Sequence, residues 1–177
     1  MTTKERPMKQ IKWFDRKFDF SFEQNIFPSI IERLRGTPVR LVDKVGGIPE
    51  AFLNFKPGNT WSIKENIGHL SDLEPLWQGR LEDILSGEKE LRPTDLLNRK
   101  TDLANHNSKD VNDLISDFTE MRNATVAKLE TLNEVDVFRF ALHPRLKKPM
   151  RTMDLFLFVA DHDDHHLARI TEISKMR

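Results

Sequence analysis

Leu155-Phe156-Leu157-Phe158-Val159-Ala160-Asp161-His162-Asp163-Asp164-His165-His166-Leu167-Ala168-Arg169-Ile170 is the stretch on which the fold turns. On a wheel at about 100° per residue, Leu155, Val159, His162, His166, Ile170 and Ile173 fall in one narrow stripe, the pattern of a helix with a single buried face. Two of those positions are histidine, so ligand-type side chains stand where a core wants carbon. His165 falls about 80° off the stripe, toward a flank. Thr152 is the expected N-cap, with Asp154 in the positive first turn.

The same period recurs upstream. Over 108–132 the apolar side chains Val111, Leu114, Ile115, Phe118, Leu129 and Leu132, with Thr125 among them, step by threes and fours. Over 62–86 a helix opens with Ser62-Ile63-Lys64-Glu65, a capping box, and Gly87 stops it. Over 28–45 a third amphipathic run contains Gly36-Thr37-Pro38, which is expected to kink it or split it in two, because Pro38 has no amide to donate. Strand-like alternation never persists. The pattern predicts an all-α four-helix bundle with long connections over 87–107 and 133–151, of the kind that caps a site. The chain reads as one domain, 1–177, with an aromatic-rich extension over 1–24 that packs as core or as a subunit contact.

Composition narrows the function. The 177 residues balance 28 Lys+Arg against 28 Asp+Glu, which gives no basic excess for nucleic acid or an anionic membrane. There is no cysteine, so a metal would be held by His and carboxylates. Residues 1–12 are polar and basic, without the apolar run of a signal peptide. No stretch approaches the roughly 18 apolar residues of a membrane span. A cytoplasmic protein is expected.

His162 and His166, one turn apart on one face, can chelate one ion. A third ligand must come from another helix, and His69, in the amphipathic run of the second, is the candidate. From pattern alone two readings stay open: metal ligands, or core histidines satisfied by hydrogen bonds, since burying imidazoles without partners costs free energy. Asp72 and Asp163 are candidate acids, as a base or as acceptors that orient a ligand ring. His106 and His143 lie in connections and read as surface residues.

Trp61-Ser62-Ile63-Lys64-Glu65-Asn66-Ile67-Gly68-His69-Leu70-Ser71-Asp72-Leu73-Glu74 resembles the second-helix signature of the DinB-like superfamily, four-helix bundles that include bacillithiol S-transferase-like enzymes. Phe158-Val159-Ala160-Asp161-His162-Asp163-Asp164-His165-His166-Leu167 resembles its fourth-helix signature. Leu34-Arg35-Gly36-Thr37-Pro38 and His143-Pro144-Arg145-Leu146 are similar to segments of one subgroup. The resemblance implies a metal triad of His69, His162 and His166, with zinc, nickel or iron as the ion, and a homodimer.

The resulting expectation is a metal-dependent enzyme that activates water, as a hydrolase, or a low-molecular-weight thiol, as an S-transferase, on a small molecule. Asp72 or Asp163 would serve as base or orienting acid, and His143 and Arg145 would meet an anionic substrate from the loop before the last helix. The rival is a non-catalytic bundle, with a structural metal or a partner-binding or stress-induced role.

Overall fold

Ser62 and Glu65 form the capping box that their spacing predicts: Ser62 Oγ accepts from the Glu65 amide at 3.1 Å, and Glu65 Oε2 accepts from the Ser62 amide at 2.8 Å. Gly87, at φ 80°, closes the same helix in the left-handed conformation that favours glycine. A computed structural model of the chain describes residues 10–176. Residues 1–9, most of the stretch read above for a signal peptide, lie outside the described residues, as does 177.

In chain order the helices are α1 (Phe27–Val45), α2 (Glu50–Leu53), α3 (Ile63–Ser86), α4 (Arg99–Leu103), α5 (Val111–Glu130), α6 (Glu134–Phe138) and α7 (Thr152–Ser174). A hairpin of β1 (Phe140–Leu142) and β2 (Pro149–Arg151) lies before α7, with Ala141 opposite Met150. The long helices α1, α3, α5 and α7 form the four-helix bundle. Neighbours around it are α1 with α5 and α7, and α3 with the same two. Thus α1 to α3 and α5 to α7 are diagonal steps, which explains why connections carrying α2, α6 and the hairpin are needed. Among the described residues no helix is long and apolar enough to cross a membrane.

Three local expectations are corrected. Of the kink or split expected at Pro38, the split does not occur: α1 runs as one helix to Val45. The carbonyl that the missing Pro38 amide would serve, that of Leu34, accepts instead from Arg122 Nη1 at 3.4 Å. Helix α5 begins after Asp110, whose carboxylate accepts from the Asn112 amide at 2.7 Å, rather than at Ser108. Thr152 lies inside α7, where its hydroxyl donates to the Asp136 carbonyl at 2.8 Å, while Asp154 caps the Arg151 amide at 3.0 Å.

The core has two halves, one around Leu34, Trp77, Phe156 and Phe158, the other around Leu41, Ile67, Phe118 and Ile170. Leu155, Val159, His162, His166, Ile170 and Ile173 are all buried. The connection after α3 is stitched to the hairpin, with the Leu142 amide donating to Lys89 O at 3.0 Å and the Leu91 amide to Leu142 O at 2.9 Å. That stitching builds one wall of the cavity described next.

Candidate metal centre

His69 on α3 meets His162 and His166 across the α3–α7 contact, and all three rings are buried. Each offers a ring nitrogen, and these atoms lie within 4.8 Å of one another, so the three histidines are grouped as ligands of one ion would be. Burial pushes all three imidazoles toward the neutral, ligating form: His69 falls to about 4, and His162 and His166 fall well below the ordinary value, with neighbouring rings lowering them further.

The tautomers of two rings are legible from their partners. Asn66 donates its side-chain amide to Ser62 O at 2.7 Å. Its Oδ1 is therefore an acceptor, His166 Nδ1 donates to it at 2.8 Å, and His166 Nε2 presents a lone pair. Likewise Thr101 Oγ1 donates its single proton to Asp72 Oδ2 at 2.9 Å. It must then accept from His69 Nδ1, also at 2.9 Å, which leaves His69 Nε2 free. His106 Nε2 donates to the same Asp72 oxygen at 2.9 Å. Asp72 thus ends a chain that fixes the His69 ring, the arrangement by which outer carboxylates orient ligating histidines.

The residues fit a divalent cation. His162 Nε2 and His166 Nε2 face each other at 3.2 Å, close to the roughly 3.3 Å edge between two nitrogens that each bond one tetrahedral ion at about 2.0–2.1 Å. His162 Nδ1 is buried and unpartnered. His165, half-buried, stands outside the group with its ring against Trp13 and His166.

Asp163 is not at the cluster. One residue on from His162, it is turned about 100° around α7. There Oδ1 accepts from Arg122 Nη2 at 3.1 Å, while Oδ2 accepts from Thr37 Oγ1 at 2.8 Å and from Arg122 Nη1. Arg122 also binds Glu74, through its Nε at 2.8 Å. His106 and His143, read from sequence as surface residues, are both buried. His106 packs on Gly68, where an added Cβ would overlap the imidazole. A glycine inside a helix costs about 1 kcal/mol against alanine and so signals close approach; that signal was available in the sequence. Asn66 was also legible, one turn before His69, but nothing local reveals that Thr101 pairs with it.

A cavity of about 600 Å³ opens over the imidazoles. Trp61 covers His69 with ring centroids 4.6 Å apart and stacks on His166 at 6.1 Å, and Trp13 sets its edge on His162 at 4.9 Å. Trp13, of the aromatic N-terminal segment, therefore packs on its own chain, while Phe14 and Phe22 are exposed. His143 and Arg145 line the far wall with Arg80, Trp77 and Phe158.

A sequence profile of the DinB superfamily matches residues 33–170. No curated protein matches. Among solved structures, YfiT from Bacillus subtilis, described as a probable metal-dependent hydrolase with an unusual four-helix bundle topology, is 24% identical with a TM-score of 0.78, covering 91% of this chain and 93% of that one. A Streptococcus pneumoniae protein gives 14% identity and a TM-score of 0.66 over 87% of this chain and 93% of its own. A Clostridium difficile 630 protein gives 13% and 0.67 over 86% and 97%.

Proposed function

We propose, from the premise that the chain belongs to the DinB superfamily, that it is a metal-dependent enzyme whose small-molecule substrate lies in the cavity over His69, His162 and His166. The observation that carries this reading is the convergence of three buried, neutral imidazoles, two of them with tautomers fixed so that a lone pair faces the cluster. The description of YfiT as a probable metal-dependent hydrolase supports it. Those three neutral histidines would hold zinc, nickel or iron without offsetting its charge, and the chemistry such an ion would supply there is acidification of water for hydrolysis or of a low-molecular-weight thiol for S-transfer.

The chain's own residues supply the rest. Asn66 and the Thr101–Asp72 pair hold the His166 and His69 rings by their far nitrogens, so neither can rotate its lone pair away. Asp72 is a positioning residue in this scheme, since it reaches His69 only through Thr101. Asp163 takes no part, because both its oxygens are engaged by Arg122 and Thr37. Trp13 and Trp61 exclude bulk water, and His143 and Arg145 meet the substrate. A structural site would be closed by a fourth protein ligand. Among the described residues the group has three, and it faces a cavity, which favours the enzyme over the non-catalytic reading.

The test is metal-reconstituted protein presented with ester and amide substrates and, separately, with thiols and electrophiles. Turnover that disappears in His162→Ala supports the proposal, and equal turnover by both proteins overturns it. A homodimer belongs to the proposal as well, with a solution mass near twice 20.7 kDa by light scattering.

A further inference from the structure

Arg80 is the feature of the cavity that this scheme leaves unused. It lies on α3 and is 1% exposed. Its Nε donates to the Arg92 carbonyl at 3.1 Å and its guanidinium lies over Trp77 at 5.6 Å, but its Nη2 has no partner. Asp83, one turn along the helix, gives both oxygens to Arg92. Among the described residues no carboxylate forms an ion pair with Arg80. Burial lowers its pKa only to about 10, so it remains a cation at neutral pH. Asp83 attracts it from a distance, but a buried charge that no carboxylate contacts is costly enough that proteins rarely keep one unless something pairs with it.

His143 makes the mismatch sharper. Its Nδ1 accepts from the backbone amides of Arg145 and Leu146, both at 3.1 Å. A ring nitrogen that accepts carries no proton, so the hydrogen of the neutral ring sits on Nε2. That Nε2 faces Arg80 Nη1 at 3.4 Å, and a guanidinium nitrogen is always a donor. Two donors therefore confront each other in a buried place with no acceptor between them. Arg145, on the same wall, lies over Phe14 at 5.3 Å and forms no ion pair among the described residues. Among the described residues the one acid that lines the cavity is Asp95, which accepts from the amides of Leu97 and Arg99.

We infer that Arg80, His143 Nε2 and Arg145 form an oxyanion subsite, which takes the carboxylate or phosphate group of a molecule whose apolar body lies along Trp77 and Phe158 toward the imidazole cluster. Trp77 sets the spacing: its ring lies 5.8 Å from that of His162 on one side and 5.6 Å from the Arg80 guanidinium on the other. The anionic group and the reacting bond are thus separated by a spacer about the size of one aromatic ring. That the bound molecule is a substrate rests on the function proposed above, whereas the subsite itself needs no metal.

The test is calorimetric titration of chelator-treated, metal-free protein with phenyl phosphate and with benzoate, and with benzamide as the neutral control. At least one anion is expected to bind and to raise the melting temperature while benzamide does neither, and the anion that binds identifies the subsite as one for phosphate or for carboxylate. Arg80→Met should weaken that binding about tenfold or more without lowering the melting temperature of the ligand-free protein, because it removes a buried charge that no ion pair offsets. His143→Asn keeps an acceptor for the two loop amides and loses the Nε2 donor; it too should bind more weakly, and it decides alone if Arg80→Met does not fold. No binding of either anion by wild type, or wild-type affinity in the variants, overturns the subsite. Metal uptake by the same proteins reads the cluster separately, so failure of one inference leaves the other measurable.

Discussion

A lone pair on His166 Nε2 faces the Nε2 of His162, and the way that contact is satisfied decides the chemistry of the centre. A proton on His162 Nε2 would serve the pair as a hydrogen bond, whereas a cation would serve both Nε2 atoms as ligands; in either case His162 Nδ1 has no partner among the described residues. His166→Ala should therefore abolish most metal uptake. His165→Ala, which alters a ring outside the group, should keep metal near the wild-type level. Metal analysis of the two purified, folded variants checks this, and equal loss in both would mean that the ligands have been misassigned. Thr101→Val cuts the link between His69 and Asp72 and should lower metal affinity by roughly 10–100-fold, as the loss of an outer partner does. An unchanged affinity would show that packing alone holds the His69 ring.

At the scale of elements, the buried Glu74–Arg122–Asp163 group ties α3, α5 and α7 together, and Thr37 joins α1 to it. Two acids share one base there, and burial raises the Glu74 pKa. Arg122→Ala would strand both carboxylates and should cost about 3–5 kcal/mol in denaturant unfolding; a loss under about 1 kcal/mol would mean that water replaces the guanidinium readily. Ser62→Ala removes one arm of the box that starts α3 and should cost about 1 kcal/mol. The long helices were legible because their caps and stripes are local: Ser62 to Glu65 and Leu155 to Ile173 carry their own signal. His162 and His166 were legible for the same reason. The ion-paired group was not, since a charge reads as surface until its partners on other helices are known, although Arg122 stands one turn after Phe118 on the buried stripe. The hairpin and the short helices escaped because segments of three to five residues carry too little periodicity, and the burial of His143 depends on the turn that hairpin makes.

For the whole molecule, buried histidines make stability depend on pH. His69 and His143 are both held near 4 when folded, chiefly by burial, and return to about 6.5 when unfolded. Between those values the unfolded chain binds protons that the folded chain refuses. Stability is therefore fully present above about 6.5 and falls as pH drops toward 4, by on the order of 3 kcal/mol per histidine. Urea midpoints of metal-free protein should decline across that window, and a flat profile would contradict the burial of both rings. In the opposite direction, a metal bound only by the native state should stabilise it by about 4 kcal/mol at a thousandfold excess over Kd. The rise in melting temperature should vanish in His162→Ala, and an identical response by both proteins would exclude the site. The diagonal order of the bundle also bears on synthesis. Because α1 packs between α5 and α7, the first of the four bundle helices to be made finds no neighbour in the bundle until the third has emerged and lacks one until the fourth has. Its apolar face stays open until then, and the bundle closes only when α7 arrives, bringing two of the three clustered histidines in the same step.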